Sequence, residues 1–296
     1  MLQKHVLALL LALAAAPLAA QQVPDTAFVY TSPQRRYTAG EGPVLWLDEA
    51  HYNFHTLDGR YAAFGKVVRA DGFRVQPNRE PFSAASLAKC NILVIANALD
   101  SASNQAWVLP NRSAFSTAEI AAVQTWVKNG GRLFLIADHM PFAGSAHDLA
   151  MAFGVDYLNG FAMDNRRRAD ERFFKSNKTL LDGLLTQNID TVVTFTGSAF
   201  RLPKGAQPVL ALQGYTVLLP QTAWQFEETT PSLDSKGLYQ LAVLNYGKGK
   251  VAVSGEAAMF SAQLAGPNRN PVGMNQPEAR QNAQLLLNIL HWLAAR

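Results

Sequence analysis

Residues 117–139, TAEIAAVQTWVKNGGRLFLIADH, decide the fold. Thr117 and Glu119 introduce a helix, Ile120, Val123 and Val127 recur at helical spacing, and Gly130-Gly131 stop it. Residues 131–139, GRLFLIADH, open on an almost wholly apolar run and read as a strand ending in Asp138-His139. A helix feeding a continuous apolar strand is the unit of a sheet covered by helices on both faces.

Working outward, the same alternation appears upstream. Val44–Leu47 is the first strand and runs into Asp48-Glu49. A helix is expected from Gly59 to Ala70, closed by Asp71-Gly72, then a strand FRVQ, a short helix opened by Pro81 and Ser83, and the strand Asn91–Ala96. Residues 97–115 form a long polar loop. Downstream the pattern loosens: a short helix over Lys178–Leu185, a strand DTVVTF, two β segments around Gly214-Tyr215, and a hairpin LYQLAVLNYGKGKVAVSG turning at Gly247–Gly249. A closing helix from Glu278 to Leu293 carries the stripe Leu286, Ile289, Leu290 and Leu293. The expectation is an α/β fold: an open, mostly parallel sheet flanked by helices, with an antiparallel C-terminal extension. Residues 43–296 form one domain, preceded by an extended segment over 21–42.

The chain has 296 residues, 49% hydrophobic and 16% charged, with a net charge of +4. This describes a globular protein and implies no nucleic-acid partner, since the basic residues are scattered apart from Arg166-Arg167-Arg168, which Asp170 and Glu171 follow closely. Residues 1–20, MLQKHVLALLLALAAAPLAA, have the basic start, apolar run and small-residue end of a secretory signal, and the run is short for a span of about 20 residues. Periplasmic or extracellular placement is expected, with no stable membrane span after cleavage at Ala20. Cys90 is the only cysteine, so no intramolecular disulfide forms, and its place before an apolar strand makes it a buried thiol.

Two clusters carry the candidate chemistry. DEAHYNFH (48–55) follows the first strand and ADHMPFAGSAH (137–147) contains the end of the fourth, so four of the five histidines beyond the leader lie past two strand ends. In an open parallel sheet those ends face the ligand crevice. Asp48, His51, His55, Asp138 and His139 are donors for a divalent metal, Zn with imidazole and carboxylate or Mg or Ca with oxygen. Without a metal, Asp48 or Glu49 serves as acid/base and His139 polarises the substrate. Helix capping and loop hydrogen bonds account for the same residues structurally. Glu256, after a strand that breaks at Gly255, reads equally as a catalytic carboxylate or a first-turn acid. Arg60, Asn270 and Asn275 are candidate substrate-binding groups, and Tyr52, Phe54, Phe142, Tyr157, Phe161, Trp224 and Phe226 flank these segments as stacking surfaces or core. There is no HExxH, GxSxG, GxGxxG or P-loop.

VLWLDEAHYNFHTLDGRY, CNILVIAN with FSTAEIAAVQTWVKNGGRLFLIADH, and GKVAVSGEAAMF with NAQLLLNILHWL resemble the DUF4350 family across residues 43–293. The resemblance implies a class I glutamine amidotransferase-like, flavodoxin-like fold shared with ThuA-like proteins. The amidotransferase cysteine elbow is not carried: ILVIA runs into Asn97-Ala98, Cys90 precedes it, and His291 lies within the last helix. The expected function is a hydrolase, metal-dependent or carboxylate/His, acting on carbohydrate or cell-envelope material. The alternative is a binding module for a glycan or other small ligand without turnover.

Overall fold

The computed structural model describes residues 22–166 and 171–295. The expected leader and the Arg167-Arg168 part of the basic run lie outside the described residues. The first half runs β1 (Gln22–Pro24), β2 (Val44–Asp48), α1 (Ala62–Ala70), β3 (Arg74–Asn78), α2 (Ala84–Leu87), β4 (Ile92–Ala96), α3 (Thr117–Lys128), β5 (Arg132–Ile136) and α4 (Phe142–Met151). The second half runs β6 (Asp156–Asp164), β7 (Glu171–Phe174), β8 (Thr191–Thr194), β9 (Gly197–Arg201), β10 (Gln207–Ala211), β11 (Tyr215–Leu218), β12 (Ser232–Asp234), β13 (Tyr239–Tyr246), β14 (Gly249–Ser254), β15 (Ala262–Ala265), β16 (Asn270–Gly273) and α5 (Asn282–Ala294).

One eleven-stranded sheet organises the molecule, in the order β12-β11-β6-β9-β13-β14-β5-β4-β2-β3, with β10 also paired to β13. From β14 to β3 every pairing is parallel. Numbered along the chain, these five strands lie 2-1-3-4-5, the flavodoxin-like order, whose direction reverses between β2 and β4. The other half is antiparallel, and it corrects the expected topology: antiparallel pairings outnumber parallel ones, so the sheet is mixed rather than mostly parallel. The antiparallel half also starts at β6, well before the C-terminal hairpin, because β6 and β9 pair across a register shift that breaks the period-2 pattern. The expected helix over 178–185 is absent. Thr179 Oγ1 bonds Phe174 O and Asn177 Oδ1, Lys178 has φ +60°, and Leu181 N donates to Val209 O, so side chains and a neighbouring strand take the backbone groups a helix would use.

Alternation along the parallel strands sends residues to two apolar layers. Leu45, Leu47, Val94, Phe134, Ile136 and Ala252 pack with α1 and with Leu286, Ile289, Leu290 and Leu293 of α5. Trp46, Leu93, Ile95, Leu135, Ala137 and Val253 pack with Val123 and Val127 of α3 and with α4. Ile92, Leu93, Val94 and Ile95 are all 0% exposed, as expected for a strand covered on both faces. Each such side chain contributes about 1.5–3 kcal/mol of burial. Cys90 is buried, and burial pushes its thiol up to about 12, consistent with an inert core position. Among the described residues no helix is long and apolar enough to cross a membrane.

Candidate ligand-binding cleft

The strand periodicity separates the two polar clusters. Asp48 lies two residues beyond Trp46 and shares its face, toward α3; Asp138 follows Ile136 and faces the α1/α5 layer. On the α3 side, Asp48 accepts from His51 Nδ1 at 2.8 Å and from Asn53 Nδ2 at 2.9 Å. His51 Nε2 reaches Glu119 Oε1 at 2.9 Å, and its ring lies between Phe82 and Phe115. Burial disfavours the imidazolium, but the hydrogen bonds and charges of Asp48 and Glu119 outweigh it and raise the pKa of His51. Glu119 resists burial through hydrogen bonds from Ser116 and His51 and is held down to about 2. The same Glu119 closes a capping box with Ser116 at the start of α3. Both nitrogens of His51 are therefore spent on pinning the 48–53 loop to α3. Glu49 is engaged likewise, accepting from Leu57 N and Arg79.

The opposite face assembles a different set. Carried two residues beyond the pair Ser254↔Ile136, the β14–β5 register brings Glu256 opposite Asp138. Burial, then the neighbouring Asp138 charge, raise Glu256 well above the carboxylate range, and burial raises Asp138. Burial and the repulsion between two like charges both favour the protonated form at this pair. Glu256 also accepts from Ala258 N at 2.8 Å and Met259 N at 2.6 Å, joining the tight turn after β14. Asn97, in the left-handed region at φ +49°, accepts from Asp138 N through its Oδ1. A methyl at Gly197 would stand 2.8 Å from Gln240 Nε2 and 3.1 Å from Glu256 Cβ, which places that amide beside the acid pair. His55 packs on Tyr61, whose hydroxyl donates to Ala257 O. Burial, reinforced by Arg60, lowers His55 to about 3, so its ring is neutral. His55 Nδ1 and Nε2, Asn97 Nδ2 and both amide atoms of Gln240 are buried with no protein partner.

His139 belongs to the rim. Its Nδ1 lies 2.7 Å from Met140 O, a group that only accepts, so Nδ1 carries the hydrogen and Nε2 is the basic nitrogen of the neutral ring. The ring stacks on Phe161 at 4.5 Å and meets Trp224 edge-on at 4.7 Å. Trp107, Phe142 and Phe54 continue the aromatic wall, and the Arg60 guanidinium lies 3.9 Å over the Phe54 ring. Trp224, 51% exposed, and Phe226, 39% exposed, are its open end. Tyr52 and Trp224, both bulky, take positive φ angles of +44° and +65° here. Such backbone is costly for large side chains and collects at binding sites.

The expected metal set is thus not assembled. Asp48 and His51 face α3, Asp138 faces the other layer, and His55 and His139 sit at different places along one aromatic wall, joined through Phe54 and Phe142. Among the described residues no group of three or more His, Cys, Asp or Glu is placed to hold an ion. His147 turns away to Asp156 at 3.2 Å. Asn270 and Asn275 lie in and beside the small sheet β1-β15-β16, where Asn275 Nδ2 bonds Asp25 and the carbonyl of Gln263. Sequence reasoning missed Asn97, Gln240 and Trp107. Asn97 carried a usable signal, since it ends the apolar strand β4 at the point where the strand order reverses; Gln240 and Trp107 carried none.

No family model matches the sequence, and no curated protein matches it. Solved structures do. The mmIFT52 N-terminal domain aligns at TM-score 0.58 and 14% identity, over 86% of this chain and 98% of that one. The cytoplasmic protein STM1381 from Salmonella typhimurium LT2 aligns at TM-score 0.53 and 15% identity, over 84% and 98%. A ThuA-like protein from Bacteroides uniformis ATCC 8492 aligns at TM-score 0.49 and 12% identity, over 88% and 95%. The first two share this fold; at such identity the likeness concerns architecture alone.

Proposed function

We propose that the carboxyl edge of the sheet binds a small, uncharged, hydroxyl-rich ligand, a glycan or a fragment of cell-envelope material, in a protein exported by its first 20 residues. The observation that carries this reading is the half-exposed pair Trp224 and Phe226, held edge-on against the buried rings of Phe161 and His139. An aromatic face held in place takes the C–H face of a sugar with little ordering cost. The neighbouring groups suit hydroxyls rather than an anion: a neutral histidine, two amides and a buried carboxyl pair whose protonated form is favoured. The DUF4350 resemblance belongs to this proposal and contributes architecture, not chemistry.

Titration of the chain with a panel of neutral oligosaccharides tests it. At least one is expected to bind, and W224A is expected to weaken binding about tenfold, or about 1.4 kcal/mol. A panel without a binder, or a W224A variant that binds as well as the parent, overturns the reading.

Hydrolysis is the second reading, favoured by His139, whose Nδ1 is taken by Met140 O, leaving Nε2 to exchange a proton with a substrate. In that case a bound oligosaccharide is cleaved by the parent, while H139Q keeps its affinity and loses turnover. Binding without cleavage by the parent leaves a non-catalytic module. Asp48 and Glu49 have no part in either version, because their oxygens hold the loop and α3.

A further inference from the structure

The largest cavity described, about 790 Å³, lies along α5, away from the candidate cleft. It opens between the lead-in segment 32–36, the turn after α1, the segment 184–188 and the outer face of α5, and its polar lining includes Arg35, Arg36, Gln187, Asn188, Gln284 and His291. Its rim is built on one carboxylate. Asp71, 0% exposed, accepts from Arg36 N at 3.0 Å, from Ser32 Oγ at 3.5 Å and from His291 Nε2 at 2.6 Å. That buried acid ties the lead-in to α5 and sets two consecutive arginines at the mouth.

The charge balance there is unequal. Asp71 is engaged by the lead-in backbone and the His291 ring, and among the described residues it is the only carboxylate lining the cavity. Neither Arg35 nor Arg36 is ion-paired among the described residues; the Arg36 guanidinium rests against the Tyr37 hydroxyl, a neutral partner. Two planar guanidinium forks beside side-chain amides match the oxygens of a phosphate or carboxylate group, which they bind in bidentate fashion. A volume of this size suits a ligand as large as a phosphorylated sugar or a tricarboxylate. We propose that this cavity is a second binding site, specific for a small molecule bearing a multiply charged oxyanion. It stands independently of the cleft reading, whose ligand is uncharged.

Calorimetric titration of the full chain with inorganic phosphate and, separately, with citrate at low ionic strength tests the proposal. Saturable binding of at least one is expected, weakened about tenfold or more in R35A/R36A. Phosphate alone points to a phosphate ester, citrate alone to a polycarboxylate. K204A/K248A, which removes the same charge from exposed loops elsewhere, is expected to bind as the parent does. Both arginines are exposed, so the first variant is expected to keep the parent melting temperature. No saturable binding of either probe, unchanged affinity in R35A/R36A, or equal weakening in the lysine variant overturns the site.

Discussion

At the scale of the residue, His51 shows how a promising ligand becomes a structural pin. Its imidazole bridges Asp48 and Glu119 with both nitrogens, so protonation is favoured and no lone pair is left for a metal or substrate. The pH dependence follows from the two shifts. His51 is raised, so its contribution is complete below its ordinary 6.5 and is lost as the pH rises through its folded value. Glu119 is lowered, so its contribution is complete above 4.5 and is lost as the pH falls toward about 2. The bridge is strongest between pH 4.5 and 6.5. H51Q, which keeps a hydrogen bond but cannot carry the charge, is expected to lose about 2–3 kcal/mol at pH 5.5, the scale of a buried hydrogen bond to a charged group, and less at pH 9. Urea unfolding across the pH range measures this, and an equal loss at both pH values would refute the charged bridge. His55, four residues on, is neutral for the opposite reason: burial disfavours its charged form, Arg60 adds to this, and among the described residues no carboxylate pairs with it. Composition alone made these two histidines equivalent.

At the scale of the element, the strands were legible wherever burial was two-sided. ILVIA and VLWLD each lie within a residue of the expected bounds, because a strand covered on both faces must be apolar along its length, whereas RLFLI stops at Ile136, three residues short of the expected end at His139, as the chain turns polar. The strands β6 and β9 carry Gly160 and Gly197 where side chains would collide, so neither alternation nor an apolar run announces them. Gly160 stands against the Leu218 carbonyl, and Gly197 against the Gly255 carbonyl and the Gln240 amide. This close approach draws the antiparallel half onto the end of β14, beside Glu256. G197A is expected to cost about 1–3 kcal/mol of overpacking and to disturb the Asp138–Glu256 pair. Guanidinium unfolding together with a ligand titration checks it; a variant of parent stability would show that β9 can yield at this point.

At the scale of the whole molecule, the candidate cleft sits past the carboxyl ends of the parallel strands and the proposed oxyanion cavity lies along α5, tied to the core through Asp71. The export reading belongs to this scale as well. Mass spectrometry of protein recovered outside the cytoplasm is expected to find an N-terminus at Gln21; retention of residues 1–20 in a cytoplasmic fraction would remove the periplasmic or extracellular placement. By itself the sequence determined the helix–strand alternation of the first half, the buried thiol, the apolar stripe of α5 and the edge of the sheet that carries the polar residues. These are consequences of burial and chain stiffness, which act over a few neighbours. Only the tertiary structure decided which face each polar residue takes, that Asp48 and Asp138 look to opposite layers, that Asn97 and Gln240 join Glu256, and that half the sheet is antiparallel. Those outcomes depend on register and strand order, set by contacts between residues far apart in the chain, and no local pattern encodes them.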